Sequence, residues 1–177
     1  GIPADTFIHV EEPGFEIGKQ LVQHPLTRAV GFTGSFSGGK ALYDYAQQRP
    51  DPIPVFSEMG SINPVFILPA AVKSRGNEIA NMYAASLTLS VGQFCTNPGL
   101  LLGVRSPEWD SFVKELASAV AKVAPAPMLH AGISTAFYSK RAHALQQKGV
   151  KLEVQSSDTQ PTGQGVPTLA RVSGSDF

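Results

Sequence analysis

AVGFTGSFSGGKALYDYAQQ, residues 29–48, contains the transition that decides the fold. Residues 29–33 have the apolar and β-branched character of a strand, and residues 34–39 form a turn rich in glycine and serine. Residues 40–48 carry apolar side chains at helical spacing. A strand that passes through a tight turn into a helix is the repeating unit of an α/β fold.

The same alternation continues on both sides of this stretch. Helices are predicted at 15–23 and 75–91, after Ser106-Pro107, and in a last segment capped by Ser134; strands are predicted at 53–57, 64–68, 100–104, 151–155 and 166–172. The run at 64–68 is apolar throughout, which is typical of a parallel strand covered by helices on both faces. We therefore predict an α/β architecture with a seam near Glu58.

Composition excludes several classes of function. Lys and Arg number 14, as do Asp and Glu, so no excess charge draws the chain to nucleic acid or to an anionic membrane. No apolar run approaches the roughly 20 residues of a membrane span. The single cysteine and the absence of a signal peptide favour the cytoplasm. Because the sequence opens on Gly1 without a methionine, we expect an internal piece of a longer protein.

Cys95 lies in the segment Gly92-Gln93-Phe94-Cys95-Thr96-Asn97-Pro98-Gly99, between a predicted helix and a predicted strand. Glycine, asparagine and proline break the pattern on both sides, and such loops hold side chains out towards ligands. A lone cysteine cannot form an internal disulfide or a thiolate metal cage. The residue is therefore either an inert thiol or a nucleophile, and no metal site is predicted.

The turn Gly34–Gly39 has two interpretations. Backbone N–H groups at the start of a helix attract phosphate, and Ser35 and Ser37 add hydroxyl donors. The glycines do not match the common dinucleotide or P-loop patterns, so a plain strand-to-helix turn explains them equally well.

Glu58 is the candidate general base. It follows an apolar run and precedes Met59-Gly60, and partial desolvation there would raise the pKa of its carboxyl group. An exposed loop carboxylate is the plainer interpretation. The rival bases lie in no recognisable motif and are interpreted as structural or solvated: His9, His24, His130 and His143.

Three motifs in order resemble the aldehyde dehydrogenase superfamily: Phe32-Thr33-Gly34-Ser35, Glu58-Met59-Gly60-Ser61-Ile62-Asn63-Pro64 and Gly92-Gln93-Phe94-Cys95. Glu58 precedes Cys95 by 37 positions, close to the separation in that family. Ser61 departs from the motif of the family, because many members have a second glycine at this position. The cysteine loop, with His24-Pro25-Leu26, is most similar to the branch of α-ketoglutarate semialdehyde (2,5-dioxopentanoate) and NADP-dependent fatty-aldehyde dehydrogenases.

The resemblance implies a role for each motif. Cys95 would attack the aldehyde carbon as a thiolate, its backbone N–H would hold part of the oxyanion, and Glu58 would activate the water that hydrolyses the thioester. NAD or NADP would accept the hydride. The cofactor would contact Gly34, Ser35, Gly39, Glu58, Met59 and Gly60. Asn97 has no catalytic role in the family pattern, and we interpret it as a residue that shapes the loop.

The resemblance also implies a division of the chain. Residues 1–57 would be the C-terminal, rear part of a Rossmann-like cofactor-binding domain, and residues 58–177 the N-terminal part of an α/β catalytic domain. Other residues for oxyanion, ribose and subunit contacts would lie outside the chain. We therefore expect the 177-residue chain by itself to lack dehydrogenase activity, and the full-length protein to form a homo-oligomer that acts on a small aldehyde.

Two alternatives remain open at the level of sequence. An acylating reductase would pass the thioester to a thiol or a phosphate, and such an enzyme works better without a base like Glu58. A non-catalytic relative would serve as a structural or interaction module, and its Cys95 would be inert to alkylation.

Overall fold

The structure, a computed structural model, describes residues 1–177 and divides into two compact units, Gly1–Gly60 and Ser61–Phe177. Helices and strands alternate along much of the chain, which confirms the predicted α/β class. No helix combines the length and the apolar composition that crossing a bilayer requires.

The first unit is built from two helices and two parallel strands. In chain order these are α1 (Glu16–Gln23), β1 (Val30–Gly34), α2 (Phe36–Gln47) and β2 (Val55–Met59). Strand β1 pairs with β2 in parallel, from Val30 opposite Val55 to Gly34 opposite Met59. The unit extends three residues past the expected seam at residue 57, because β2 continues through Met59 in its ladder with β1.

A buried arginine links the end of α1 to the segment that follows α2 in the first unit. Arg49 follows α2, and its guanidinium donates hydrogen bonds to the carbonyl oxygens of Val22, His24 (2.7 Å), Thr27 (3.1 Å) and Asp51 (3.1 Å). Carbonyls at the end of α1 have no partner within the helix, so a cation there satisfies them and also favours the negative end of the helix dipole. The predicted end of α1 at His24-Pro25 is confirmed.

The second unit holds the larger core. Its elements are β3 (Val65–Ile67), α3 (Pro69–Thr88), a 3₁₀ turn (Leu89–Gly92), β4 (Leu101–Gly103), α4 (Pro107–Ala121), β5 (Ala126–Pro127), α5 (Ala131–Leu145), β6 (Lys151–Gln155), β7 (Gln164–Gly165) and β8 (Thr168–Arg171). Strands β3 and β4 are parallel, whereas β5–β7 and β6–β8 are antiparallel pairs. The core is formed where α3 and α4 pack together, by Ile67, Val72, Ala80, Tyr83, Ala84, Phe112, Val113, Leu116 and Val120.

Several local predictions are wrong in detail. Helix α3 runs from Pro69 to Thr88 instead of over 75–91, because the backbone turns left-handed at Ser90 and Val91. Helix α2 begins at Phe36 rather than Lys40, because the side chain of Ser35 caps it directly after β1. Helix α5 is capped by His130, so Ser134 lies inside the helix. Phe66 is 71% exposed, because in this unit β3 is covered on one face and open on the other.

Candidate active site and cofactor edge

The carboxyl edge of the β1–β2 pair gathers most of the predicted cofactor residues. Gly34 lies opposite Met59 and Thr33 opposite Glu58, and the N–H of Gly60 donates to the carbonyl oxygen of Gly34 at 3.3 Å. Parallel strands end at the same edge, so motifs separated by two dozen residues become neighbours. The ends of parallel strands are also where α/β sheets bind ligands.

Ser35 is the single residue between β1 and α2. Its Oγ accepts a hydrogen bond from the N–H of Gly38 at 3.1 Å and lies 3.1 Å from the Oγ of Ser37. The first N–H groups of a helix have no intrahelical acceptor and lie at the positive end of the dipole. This edge therefore has the donor chemistry that a pyrophosphate requires, so the residues present fit the phosphates of a dinucleotide.

Gly39 is buried within the first turn of α2. A Cβ placed there would lie 2.6 Å from Cγ of Met59 and 3.3 Å from Cδ1 of Phe32. The absence of a side chain thus lets α2 pack closely on the ends of β1 and β2. Packing inside the unit is a sufficient reason for this glycine, and its contact with a cofactor stays a prediction.

Glu58 is exposed in the structure, on a strand whose residues alternate between half-buried and exposed. The expected partial desolvation of its carboxylate is therefore not provided by the arrangement of the first unit. The side chain is open to solvent at the same edge as Gly34 and Gly60. Its role as a base stays a prediction.

Cys95 occupies the tip of a tight turn in the second unit. The N–H of Asn97 donates to the carbonyl oxygen of Phe94 at 3.1 Å, which closes a β-turn with Cys95 and Thr96 at its centre. The cysteine is exposed, and its own N–H donates to no group in the chain. Both the thiol and this N–H are therefore free to meet a ligand.

The backbone that enters this turn is strained. Ser90 and Val91 have φ values of 50° and 58°, and Gly92 follows at 70°. The left-handed region costs a β-branched residue such as Val91 on the order of 1–2 kcal/mol. Such conformations persist only where surrounding contacts impose them, and they are concentrated at functional sites.

Hydrogen bonds hold the loop on both sides of this turn. The buried hydroxyl of Tyr83 donates to the carbonyl oxygen of Pro98, and the amide of Asn97 donates to the carbonyl oxygen of Leu87 at 2.7 Å. Burial raises the pKa of Tyr83 to about 12, so this donor stays protonated at neutral pH. The interpretation of Asn97 as a loop-shaping residue is confirmed.

Sequence reasoning missed three residues that hold the cysteine loop: Ser61, Asn63 and Tyr83. Tyr83 falls within the predicted helix at 75–91, where an aromatic side chain is usually interpreted as part of the hydrophobic core. Asn63 has φ of 47°, a left-handed conformation that asparagine tolerates. Its position before a proline and outside any periodic segment is the sequence signal that could have indicated its role in the loop.

The four histidines make local contacts. The Nδ1 atoms of His130 and His24 accept hydrogen bonds from the N–H groups of Ile133 and Leu26, at 3.3 and 3.2 Å. His143 lies beside Gln147, and His9 beside Glu11. Their predicted status as structural or solvated residues agrees with these positions.

Comparison with known proteins identifies related chains. Residues 1–170 match the aldehyde dehydrogenase family. Alpha-ketoglutaric semialdehyde dehydrogenase 2 of Azospirillum brasilense is 49% identical over 151 residues, which cover 85% of this chain and 29% of that protein. Alpha-ketoglutaric semialdehyde dehydrogenase of Acinetobacter baylyi is 40% identical over 169 residues, covering 96% of this chain and 32% of that protein. The chain thus spans about a third of the length of these two curated relatives.

Solved structures share the fold. An NAD-dependent benzaldehyde dehydrogenase from Corynebacterium glutamicum superposes with a TM-score of 0.76 at 19% identity, covering 94% of this chain and 37% of that one. At that level of identity the likeness concerns the backbone architecture alone.

Proposed function

The chain belongs to the aldehyde dehydrogenase family, and from that premise we propose that it carries the nucleophile and the hydrolytic base of an enzyme that oxidises an aldehyde to a carboxylic acid. The observation that carries this proposal is the exposed Cys95 at the tip of a strained, hydrogen-bonded turn. The family comparison supports the reaction class, and the geometry of the turn supports the choice of nucleophile.

The proposed reaction begins at the thiol. The Cys95 thiolate adds to the aldehyde carbon, and the N–H of Cys95, which has no partner in the chain, donates to the oxyanion that forms. Nicotinamide supplies the hydride acceptor when NAD or NADP is bound. The residues that would hold the phosphates are Ser35 and the first N–H groups of α2, beside Gly34, with Met59 and Gly60 at the same strand edge. Gly39 contributes close packing at this turn.

Glu58 is assigned the second half of the reaction. A thioester on Cys95 is released by a water molecule from which Glu58 takes a proton, giving the carboxylic acid and the free thiol. A carboxylate at this position favours hydrolysis over transfer of the acyl group to a thiol or a phosphate. The proposal includes the domain assignment, in which residues 1–57 belong to the cofactor-binding domain and residues 58–177 to the catalytic domain.

The proposed substrate is α-ketoglutarate semialdehyde. This proposal is supported by two relatives, 49% and 40% identical to this chain, that are alpha-ketoglutaric semialdehyde dehydrogenases. The choice between NAD and NADP is left to measurement. A nucleophilic thiol suits a reducing compartment, so the cytoplasm is the proposed location, and a homo-oligomer is the proposed assembly.

The test replaces the base and leaves the nucleophile in place. In the complete gene product, Glu58→Gln should release about one equivalent of NAD(P)H per site and then stall, because the acyl group stays on Cys95. Mass spectrometry should find the acyl adduct on Cys95. Glu78→Gln, which changes an exposed glutamate on α3, serves as the control and should turn over normally.

Unchanged steady turnover by Glu58→Gln would show that another group activates the water. NAD(P)H production by Cys95→Ser at the wild-type rate would overturn the proposed function as a whole.

A further inference from the structure

The carbonyl oxygen of Cys95 receives two side-chain hydrogen bonds. The hydroxyl of Ser61 donates one, and the amide Nδ2 of Asn63 donates the other at 2.7 Å. A carbonyl oxygen has two lone pairs, so these bonds use its full accepting capacity. The peptide that follows the cysteine is therefore fixed from one side by two donors.

Asn63 also spans the far end of the turn. Its Nδ2 lies 3.0 Å from the carbonyl oxygen of Asn97 and 3.2 Å from the Oγ of Ser61. One amide thus joins the carbonyl at the tip of the turn to the carbonyl at its end. The left-handed backbone of Asn63, with φ of 47°, is a conformation that asparagine tolerates better than most residues.

Apolar packing contributes little to this turn. Gln93, Phe94, Cys95 and Thr96 are all exposed, and the first fully buried residue after them is Pro98. A turn without buried side chains depends on polar contacts for a single conformation. Ser61 and Asn63 are the residues that make such contacts directly to the cysteine.

We propose that Asn63 and Ser61 are positioning residues for the Cys95 thiol, an inference that rests on the nucleophilic role proposed for Cys95. Fixing the carbonyl restricts rotation of the peptide after Cys95, and so restricts where its Sγ can lie. Displacement of a reacting atom by about 1 Å can slow a reaction on the order of a hundredfold.

Four variants of the complete gene product test this proposal. Asn63→Gly keeps the left-handed backbone and removes the amide. Asn63→Asp keeps the shape and places a carboxylate against two carbonyl oxygens. Ser61→Gly removes the second donor and leaves the amide of Asn63 in place. The matched control is Asn81→Ala, because Asn81 also donates its amide to a backbone carbonyl, that of Asn77, within α3.

The main readout is the rate of the first turnover, measured as the burst of NAD(P)H under saturating aldehyde. Loss of one hydrogen bond corresponds to about a twofold to tenfold slowing, so we expect about threefold for Ser61→Gly, which removes one bond, and about tenfold for Asn63→Gly, which removes the bonds to Cys95 and Asn97. Asn63→Asp should be slower than either, and Asn81→Ala should match the wild type. Cofactor affinity and melting temperature should stay constant in Asn63→Gly and Ser61→Gly, which separates positioning from loss of fold.

A second readout follows the turn itself. Hydrogen exchange at the amides of Asn97 and Gly99 should quicken in Asn63→Gly and Asn63→Asp, while amides of α4 keep their protection. Wild-type burst rates in Asn63→Gly and Ser61→Gly, together with an inactive Cys95→Ser, would overturn this inference and leave the proposed function intact. Slower bursts accompanied by a lower melting temperature in the same variants would also overturn it, because the slower rate would then follow from a less stable fold.

Discussion

At the scale of single residues, the cysteine turn shows how an exposed thiol is held in place without being buried. Cys95 is exposed, whereas Tyr83, which donates to the carbonyl of Pro98, is only 8% exposed. The buried hydroxyl is satisfied, and the loop carbonyl gains a donor that no water can displace. The Cys95 thiol thus stays open to solvent while its loop is tied to the core.

Tyr83 gives a prediction about pH. Its pKa is raised to about 12 by burial, above the ordinary value of 10.0 that applies to the unfolded chain. As pH rises past 10 the unfolded state loses this proton first, so the free energy of unfolding falls until the pH reaches the folded pKa. Tyr83→Phe should be about 1 kcal/mol less stable at pH 7, and this difference should shrink above pH 10 and change sign before pH 12, since the wild type alone loses about 2 kcal/mol over that range.

Urea unfolding monitored by circular dichroism at several pH values measures the free energy of unfolding of the wild type and of Tyr83→Phe, and so the change of their difference with pH. Tyr43→Phe is the matched control, because Tyr43 is 48% exposed and its replacement should change the free energy of unfolding at pH 7 by less than about 0.5 kcal/mol. A constant difference between wild type and Tyr83→Phe across the alkaline range would contradict the prediction.

At the scale of elements, the turn from β1 into α2 depends on the backbone conformation of the turn and equally on the space between α2 and the strand ends. Ser35 caps the helix, and Gly39 in the first helical turn faces the side chains of Met59 and Phe32. A side chain at this position would push α2 away from the strand ends. The edge that gathers Gly34 and Glu58 therefore depends on a helix that can approach closely.

Two glycines in helices make a matched test of this point. Gly39→Ala should destabilise the protein by about 1–3 kcal/mol, because its Cβ would overlap the side chain of Met59. Gly18→Ala, in α1, should stabilise it by about 0.5–1 kcal/mol, since nothing lies within 4 Å of the added carbon and alanine favours the helix.

Chemical denaturation of the two variants measures both free energies. Equal stabilisation in both would show that α2 relaxes without cost, and that the packing at Gly39 does not constrain the edge.

At the scale of the whole molecule, each unit is held by its own core. Val22, Ala46 and Ile53 form that of the first unit, and the α3–α4 pair forms the larger core of the second. Helix α3 contributes Tyr83 to that core, and the hydrogen bond from Tyr83 to Pro98 therefore ties the cysteine loop to the core of its unit. Stability of that core should thus extend to the turn.

Leu116 tests the larger core. It is 1% exposed, and Leu116→Ala should lower the free energy of unfolding of the second unit by about 3–4 kcal/mol through lost burial and the cavity that remains. Leu129→Ala is the control, because Leu129 is 80% exposed and should change it by less than about 0.5 kcal/mol. Hydrogen exchange of α3 and α4 amides measures the effect, and similar values for the two variants would contradict it.

The sequence alone was sufficient for the α/β class, for most helices and strands, and for the cysteine turn as a singular feature. Periodicity and breaker residues report local preferences, and they indicated the end of α1 at His24 and the cap of α4 at Ser106 correctly. Motif order was sufficient for the family. Helix ends, caps and motif order are properties of neighbouring residues, or of residue types in a fixed order.

Tertiary structure alone decided which distant groups meet. The parallel register places Gly34 opposite Met59, and the path of the chain brings Ser61 and Asn63 to the carbonyl of Cys95 across more than 30 residues. It also leaves Glu58 exposed, which agrees with the plainer of the two interpretations that the sequence left open. Hydrogen bonds and burial depend on distances in space, and a pattern along the chain carries no information on them until the elements have packed.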